Sequence, residues 1–300
     1  MTKTTTHTLT SEDSILELCS HAAEWHHWRD LHTGYDYAWS GDPAWWAGRN
    51  PILFPFVGKL NHDGQYRFQG KTYTLGNHGF ARHADFTLTQ ATTSTATFVL
   101  QANDDTRSVY PWEFKLQVDY ALQNATLSAA ITATNTDSKP MPCTLGSHPA
   151  FALNLRPNEK ISDYRVEFDR AYPWIRRRMF ADSSWSDRTE NCDPVASLTI
   201  TPELFADDVL AWEHPEFHTV ALQGPHSDER VTLTWEKAEY FGLWSKPGAP
   251  FVCLEPWRGF GDIRGWEGDI MERPCTHILQ PGENLELRYT ITIGNNQQSK

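Results

Sequence analysis

From about residue 86 onward, apolar and polar positions alternate along the chain. Phe114, Leu116, Val118 and Tyr120 share one face of an extended segment, as do Leu127, Ala129, Ile131 and Ala133. Val231, Leu233 and Trp235 repeat the pattern, and so do Leu285, Leu287, Tyr289, Ile291 and Ile293. A period of two places every second side chain on the same side of a strand. One apolar face per strand marks antiparallel sheets that bury one side. Helical periodicity is confined to short pieces such as residues 202–206. Frequent Gly, Pro, Asn and Asp between the strands point to a sandwich. No internal repeat and no long linker divides the chain, so the pattern predicts an all-β, antiparallel fold in one domain over residues 1–300.

The first eighty residues are less regular. Residues 1–12 are Thr-rich and read as a loose tail or a first edge strand, and residues 295–300 read as a frayed end. Short strands are expected at Ser14–Cys19, 22–28 and 37–39, with a turn at Gly41-Asp42-Pro43 and one helical turn over 44–47. Asn50-Pro51 restarts an extended chain, and 52–57 is a buried apolar run. Residues 58–75 alternate aromatic and polar positions around Asp63-Gly64 and Gln69-Gly70, as a β-meander does. Residues 77–82 follow as a loop.

Three stretches carry candidate chemistry. In the first, an apolar run over 251–254 ends in Glu255, and Pro256 cannot continue a ladder, so Glu255 is expected where a strand leaves its sheet. Trp257 adds a flat apolar surface with one N–H donor. A carboxylate beside an indole suits a sugar site: the acid handles hydroxyl protons and the ring stacks on the C–H face. The plainer alternative is a Glu facing water and a Trp filling the core. In the second stretch, Gly146-Ser147-His148-Pro149, proline restricts the residue before it and holds His148 extended. A lone His of this kind is more often a structural side chain, but beside a rigid strand-end Glu elsewhere in the chain it is an acid–base candidate. In the third stretch, His78 before Gly79, with Arg82 nearby, is an ordinary loop when taken alone.

Composition narrows the choice. The chain holds 13 Trp, enough for a core and for a carbohydrate-stacking surface. A net charge of −12 gives no drive toward nucleic acid or anionic lipid and favours a neutral small ligand or simple solubility. The five cysteines are widely spaced without C-x-x-C, which fits free thiols in a reducing cytoplasm. The N-terminus has no stretch of signal-peptide type, and no apolar run is long enough to span a bilayer. Phosphate-loop and nucleophile-elbow signatures are absent.

Taken together, residues 51–60 (PILFPFVGKL), 78–82 (HGFAR), 146–151 (GSHPAF), 241–245 (FGLWS) and 253–257 (CLEPW) resemble the aldose 1-epimerase (mutarotase) family, in its bacterial galactose-mutarotase-like branch. The motifs occur in the family's order and the resemblance covers nearly the whole chain. It implies a β-supersandwich that binds a free hexose, as a monomer or homodimer. It also implies a catalytic Glu matched by Glu255, a catalytic His matched by His148 and a further active-site His matched by His78. Asp208 matches a sugar-binding Asp, with Asp207 as the neighbour it could be confused with. Asn77, Arg82, Trp244 and Trp257 complete the implied sugar site. Lys59 stands where members usually carry Arg, which keeps the charge and loses the bidentate fork.

Mutarotation opens the hemiacetal, rotates about C1–C2 and closes the ring again. Opening needs a base for the anomeric hydroxyl and an acid for the ring oxygen. Reference values near 4.3 for Glu and 6.5 for His make carboxylate plus imidazolium an accessible pair, and nearby carboxylates are expected to raise the His. No metal, nucleotide or redox cofactor is required. The competing readings are a non-catalytic sugar-binding or sensing protein on the same fold, a hexose-phosphate 1-epimerase using Lys59 and Arg82, and a glycosidase using Glu255 with Glu267 or Glu272.

Overall fold

The structure, a computed structural model, describes residues 4–294; the frayed end expected at 295–300 lies outside them. Strands account for 51% of the chain and helix for 8%, and the ladders are antiparallel, as the alternation predicts. No helix among the described residues is long and apolar enough to cross a membrane.

The alternating segments lie side by side in one large sheet. Strand Thr126–Asn135 is flanked by Phe114–Gln123 and Asn284–Ile293, and the latter pairs onward with Arg230–Glu236. The register matches volumes across the buried face. Ala129 lies between Tyr120 and Tyr289, and Ala133 between Leu116 and Leu285. Small residues opposite large ones let neighbouring strands close without voids. These side chains are nearly all excluded from solvent and belong to one apolar cluster that runs from Leu9 to Ile293. Fully burying each large one contributes about 1.5–3 kcal/mol.

The same cluster joins a three-stranded sheet of Thr6–Thr10, Ser14–Cys19 and Trp25–Asp30. Residues 6–10 are therefore the edge strand rather than a loose tail. The third strand starts later than expected because Ala22 and Ala23 turn through left-handed backbone, φ 57° and 52°. Residues 37–39 make only an isolated bridge, Ala38 to Phe151. Gln69-Gly70 turns the hairpin Gln65–Phe68/Lys71–Thr74, but Asn61–Gly64 is a short helical turn, so the region is a hairpin and not a full meander. The capped helix Asp104–Val109 has no strong apolar period and escapes sequence reading; Asn103 accepts from the Thr106 amide at its start.

The strand Phe251–Arg258 organises the site. Its first seven residues are buried, so it shows no alternation. It does not end at Glu255 as expected but continues through Pro256. On one side it pairs with Tyr240–Trp244, Gly242 opposite Glu255. On the other, its ladder with Leu145–Ser147 stops at Gly146↔Trp257 and its ladder with Ala150–Ala152 starts at Ala150↔Cys253. The Leu254 amide on that side donates to Pro149 C=O. Alternation puts the Pro256 nitrogen on the same side, facing the break, so no ladder bond is lost. The break holds His148-Pro149, which is how His148 comes to face Glu255.

Candidate active site

Lys59, Asn77, His78, Arg82, His148, Asp208, Trp244, Glu255 and Trp257 all line one cavity of about 160 Å³. A cavity of about 150 Å³ admits a single six-membered ring, so this space suits one sugar ring. Asp207 is not among the lining residues, and Glu267 lines a separate surface groove with His62. Glu272 is exposed outside the cavity, so neither carboxylate of the glycosidase reading joins Glu255 there.

Glu255 is 1% exposed and His148 6%. His148 Nε2 lies 3.4 Å from Glu255 Oε1, long for a hydrogen bond. Trp257 Nε1 donates to Glu255 Oε2 at 3.2 Å. Glu255 Oε1 and His148 Nδ1 are buried without hydrogen-bond partners, a costly arrangement unless another molecule supplies them. Burial raises Glu255 well above the usual carboxylate range, and Asp208 adds to this; the Trp257 indole and Arg82 pull the other way. Burial, then His78 and Arg82, push His148 well below its usual value. The expectation that carboxylates would raise His148 is thus reversed: removal from water dominates, and the Arg82 charge adds to it. Both shifts favour the uncharged forms, carboxyl and neutral imidazole.

His78 takes left-handed backbone, φ 63°, and is tied to Gly58 twice. Its amide donates to Gly58 C=O at 2.8 Å, and Gly58 N–H donates to its Nδ1 at 3.0 Å. A committed Nδ1 acceptor leaves the proton on Nε2, so the ring is a neutral donor. Burial and then Arg82 push His78 down to about 3. Arg82 sits in the 3-10 turn Ala81–His83, and among the described residues no carboxylate pairs with it. Lys59 Nζ lies 3.6 Å from the exposed Asp63. Asp208, φ 69°, is exposed at the rim, where Trp244 also lines the cavity, and Asn77 is exposed at the mouth.

Trp257 departs from the stacking surface expected of it. It is 3% exposed. A Cβ on Gly242 would fall 2.5 Å from its ring and one on Gly146 2.9 Å, so the two glycines make its slot. Its part here is to orient Glu255. The aromatic face beside the pair is instead Trp46, stacked on His148 at 4.9 Å and 28°, with Trp244 edge-on to His148 at 5.5 Å. Trp46 was not singled out in the sequence, where nothing separates it from Trp45. Its loop is pinned by Trp39 Nε1 donating to Trp46 C=O. Cys253, on the same strand face as Glu255, is fully buried, and burial holds its thiol protonated.

Solved structures of the same architecture define the class as galactose mutarotase-like. The galactose mutarotase related enzyme of Lactobacillus acidophilus matches with a TM-score of 0.92 at 28% identity over 99% of both chains. A galactose mutarotase-like protein of Lactobacillus casei matches with a TM-score of 0.89 at 30% identity, over 96% of this chain and 99% of that one. Residues 6–292 match the aldose 1-epimerase family, and the chain belongs to it. Protein LacX of Lactococcus lactis subsp. lactis is 31% identical over 272 residues, 87% of this chain and 91% of the relative. Membership supports a carbohydrate epimerase.

Proposed function

We propose that the protein is a mutarotase of a free hexose, with Glu255 as the base and His148 as the acid of ring opening. The observation that carries this reading is the buried pair at the cavity floor, 3.4 Å apart, with Glu255 Oε1 and His148 Nδ1 unpartnered. The anomeric hydroxyl donates to Oε1 and favours the carboxylate, which Trp257 and Arg82 also favour, and the pair's single proton moves to His148. Glu255 then takes the hydroxyl proton while His148 protonates the ring oxygen. Ring closure reverses both transfers, so no proton is gained or lost. His78 belongs among the binding donors rather than the proton carriers, because its Nδ1 is committed to Gly58. Arg82, Lys59, Asn77 and Asp208 hold the hydroxyls, and Trp46 and Trp244 border the ring. The partner is a small sugar in the cytoplasm, with neither nucleic acid nor membrane involved.

The test is anomer equilibration of fresh α-glucose and α-galactose, followed by polarimetry or exchange NMR. Acceleration supports the enzyme. Binding without acceleration supports a sensor on the same fold. A much higher kcat/KM for glucose 6-phosphate turns Arg82 and Lys59 into phosphate ligands and makes the protein a hexose-phosphate epimerase.

A further inference from the structure

Away from the cavity, the loop carrying Arg156 and Glu159 meets the turn between strands Thr219–Gln223 and Arg230–Glu236. Glu159 and Glu229 face each other there, with side chains 7% and 0% exposed, and His226 covers them at 49%. One ligand atom from each of the three lies within 4.8 Å of the others. Glu159 Oε2 accepts from the Tyr164 hydroxyl at 2.5 Å and the Arg156 amide at 3.1 Å. Its Oε1 is buried with no hydrogen-bond partner and lies 4.0 Å from His226 Nε2. Glu229 Oε2 accepts from the His226 amide, over a Gly224 whose Cβ would fall 2.6 Å from that oxygen. Arg156 is the cation within the cluster. Its Nε lies 2.6 Å from Glu229 Oε1 without hydrogen-bond alignment, and its Nη2 bonds both Asp228 oxygens at 2.7 Å. Asp228 and Glu229 share this one guanidinium, and Glu159 has no ion pair to it.

We propose that Glu159, His226 and Glu229 bind a divalent transition ion of zinc type that ties the 156–159 loop to the 226–229 turn. A mixed set of carboxylate oxygen and imidazole nitrogen selects zinc-like ions over calcium or magnesium, which prefer oxygen throughout. Donors about 2.0–2.2 Å from one tetrahedral ion stand roughly 3.4 Å apart, so the Glu159–His226 gap needs only a small contraction. The half-exposed His226 leaves an entry path. The role is structural and independent of the sugar reading.

The test uses the full chain stripped with chelator and then titrated with Zn²⁺, Co²⁺, Ca²⁺ or Mg²⁺, read by thermal unfolding and calorimetry. Zn²⁺ at about a hundredfold excess over Kd raises Tm by about 5 °C, and Co²⁺ gives visible d–d bands. His226→Ala, at an exposed side chain that does not threaten folding, loses both responses, as does Glu159→Gln, and neither alters anomer exchange. A wild type that does not respond to Zn²⁺ or Co²⁺ overturns the proposal. So does an undiminished response in His226→Ala, which places the ion elsewhere, or a response to Ca²⁺ alone.

Discussion

Replacing Glu255 by glutamine tests the acid–base reading most directly. The amide oxygen of Gln can keep the 3.2 Å hydrogen bond from Trp257 Nε1, and its NH₂ then faces His148 Nε2 across the 3.4 Å gap. Cavity shape and the neighbouring donors are preserved while the proton acceptor is lost. A positioned acid or base contributes about 10²–10⁴-fold in rate, equivalent to roughly 3–5.5 kcal/mol of barrier. We therefore expect kcat for anomer exchange to fall by that factor, with KM changed only a few-fold, since the lost interaction acts in the transition state. His148→Asn behaves alike, and the double variant is little worse than the worse single one, because the two groups work as a unit. The assay is exchange NMR of both anomers at equilibrium, with calorimetry for sugar binding. Near-wild-type exchange in Glu255→Gln with normal binding would refute the assignment. Asp208, as the other carboxylate in the cavity, would then be the base to test.

Five further outcomes can be checked. The kcat/KM profile is bell-shaped: activity is lost when the pair gains a second proton, below the ordinary His value, and when it loses its only one, above the ordinary Glu value. Arg82→Met removes a positive charge that lowers both groups, so both limbs of the pH–rate profile move to higher pH; unmoved limbs would show that Arg82 does not act on the pair. His78 is held neutral down to about pH 3 whereas the unfolded chain takes the proton near 6.5, so the stability it contributes is present above 6.5 and lost as pH falls toward 3. His78→Asn should flatten urea-unfolding stability against pH in that window by up to about 1.4 kcal/mol per pH unit. Gly242→Ala forces a Cβ to within 2.5 Å of the Trp257 ring and should cost about 1–3 kcal/mol in denaturant unfolding while lowering kcat through Glu255. Exhaustive chelation should leave kcat unchanged; loss with EDTA and recovery with a divalent ion would overturn the metal-free mechanism.

The period-two pattern at Phe114–Gln123, Thr126–Asn135, Arg230–Glu236 and Asn284–Ile293 determined their strand character and their buried faces, because alternation depends only on neighbours along the chain. Where a segment is buried on both sides, as at Phe251–Arg258, that signal vanishes, and Pro256 looked like a strand end. Only the sheet shows that its missing N–H meets a break between two short partners. The left-handed turn at Ala22-Ala23 lacks the glycine that advertises such backbone, so it too was invisible. The residues around the cavity were legible as ordered motifs, but Trp46 was not, since its stacking on His148 depends on where a distant loop lands. The protonation of the pair went furthest from the sequence expectation. Reference values make carboxylate plus imidazolium the accessible pair, and the fold shifts both groups toward their neutral forms, because the desolvation of both and the Arg82 charge acting on His148 arise from groups far apart in the chain.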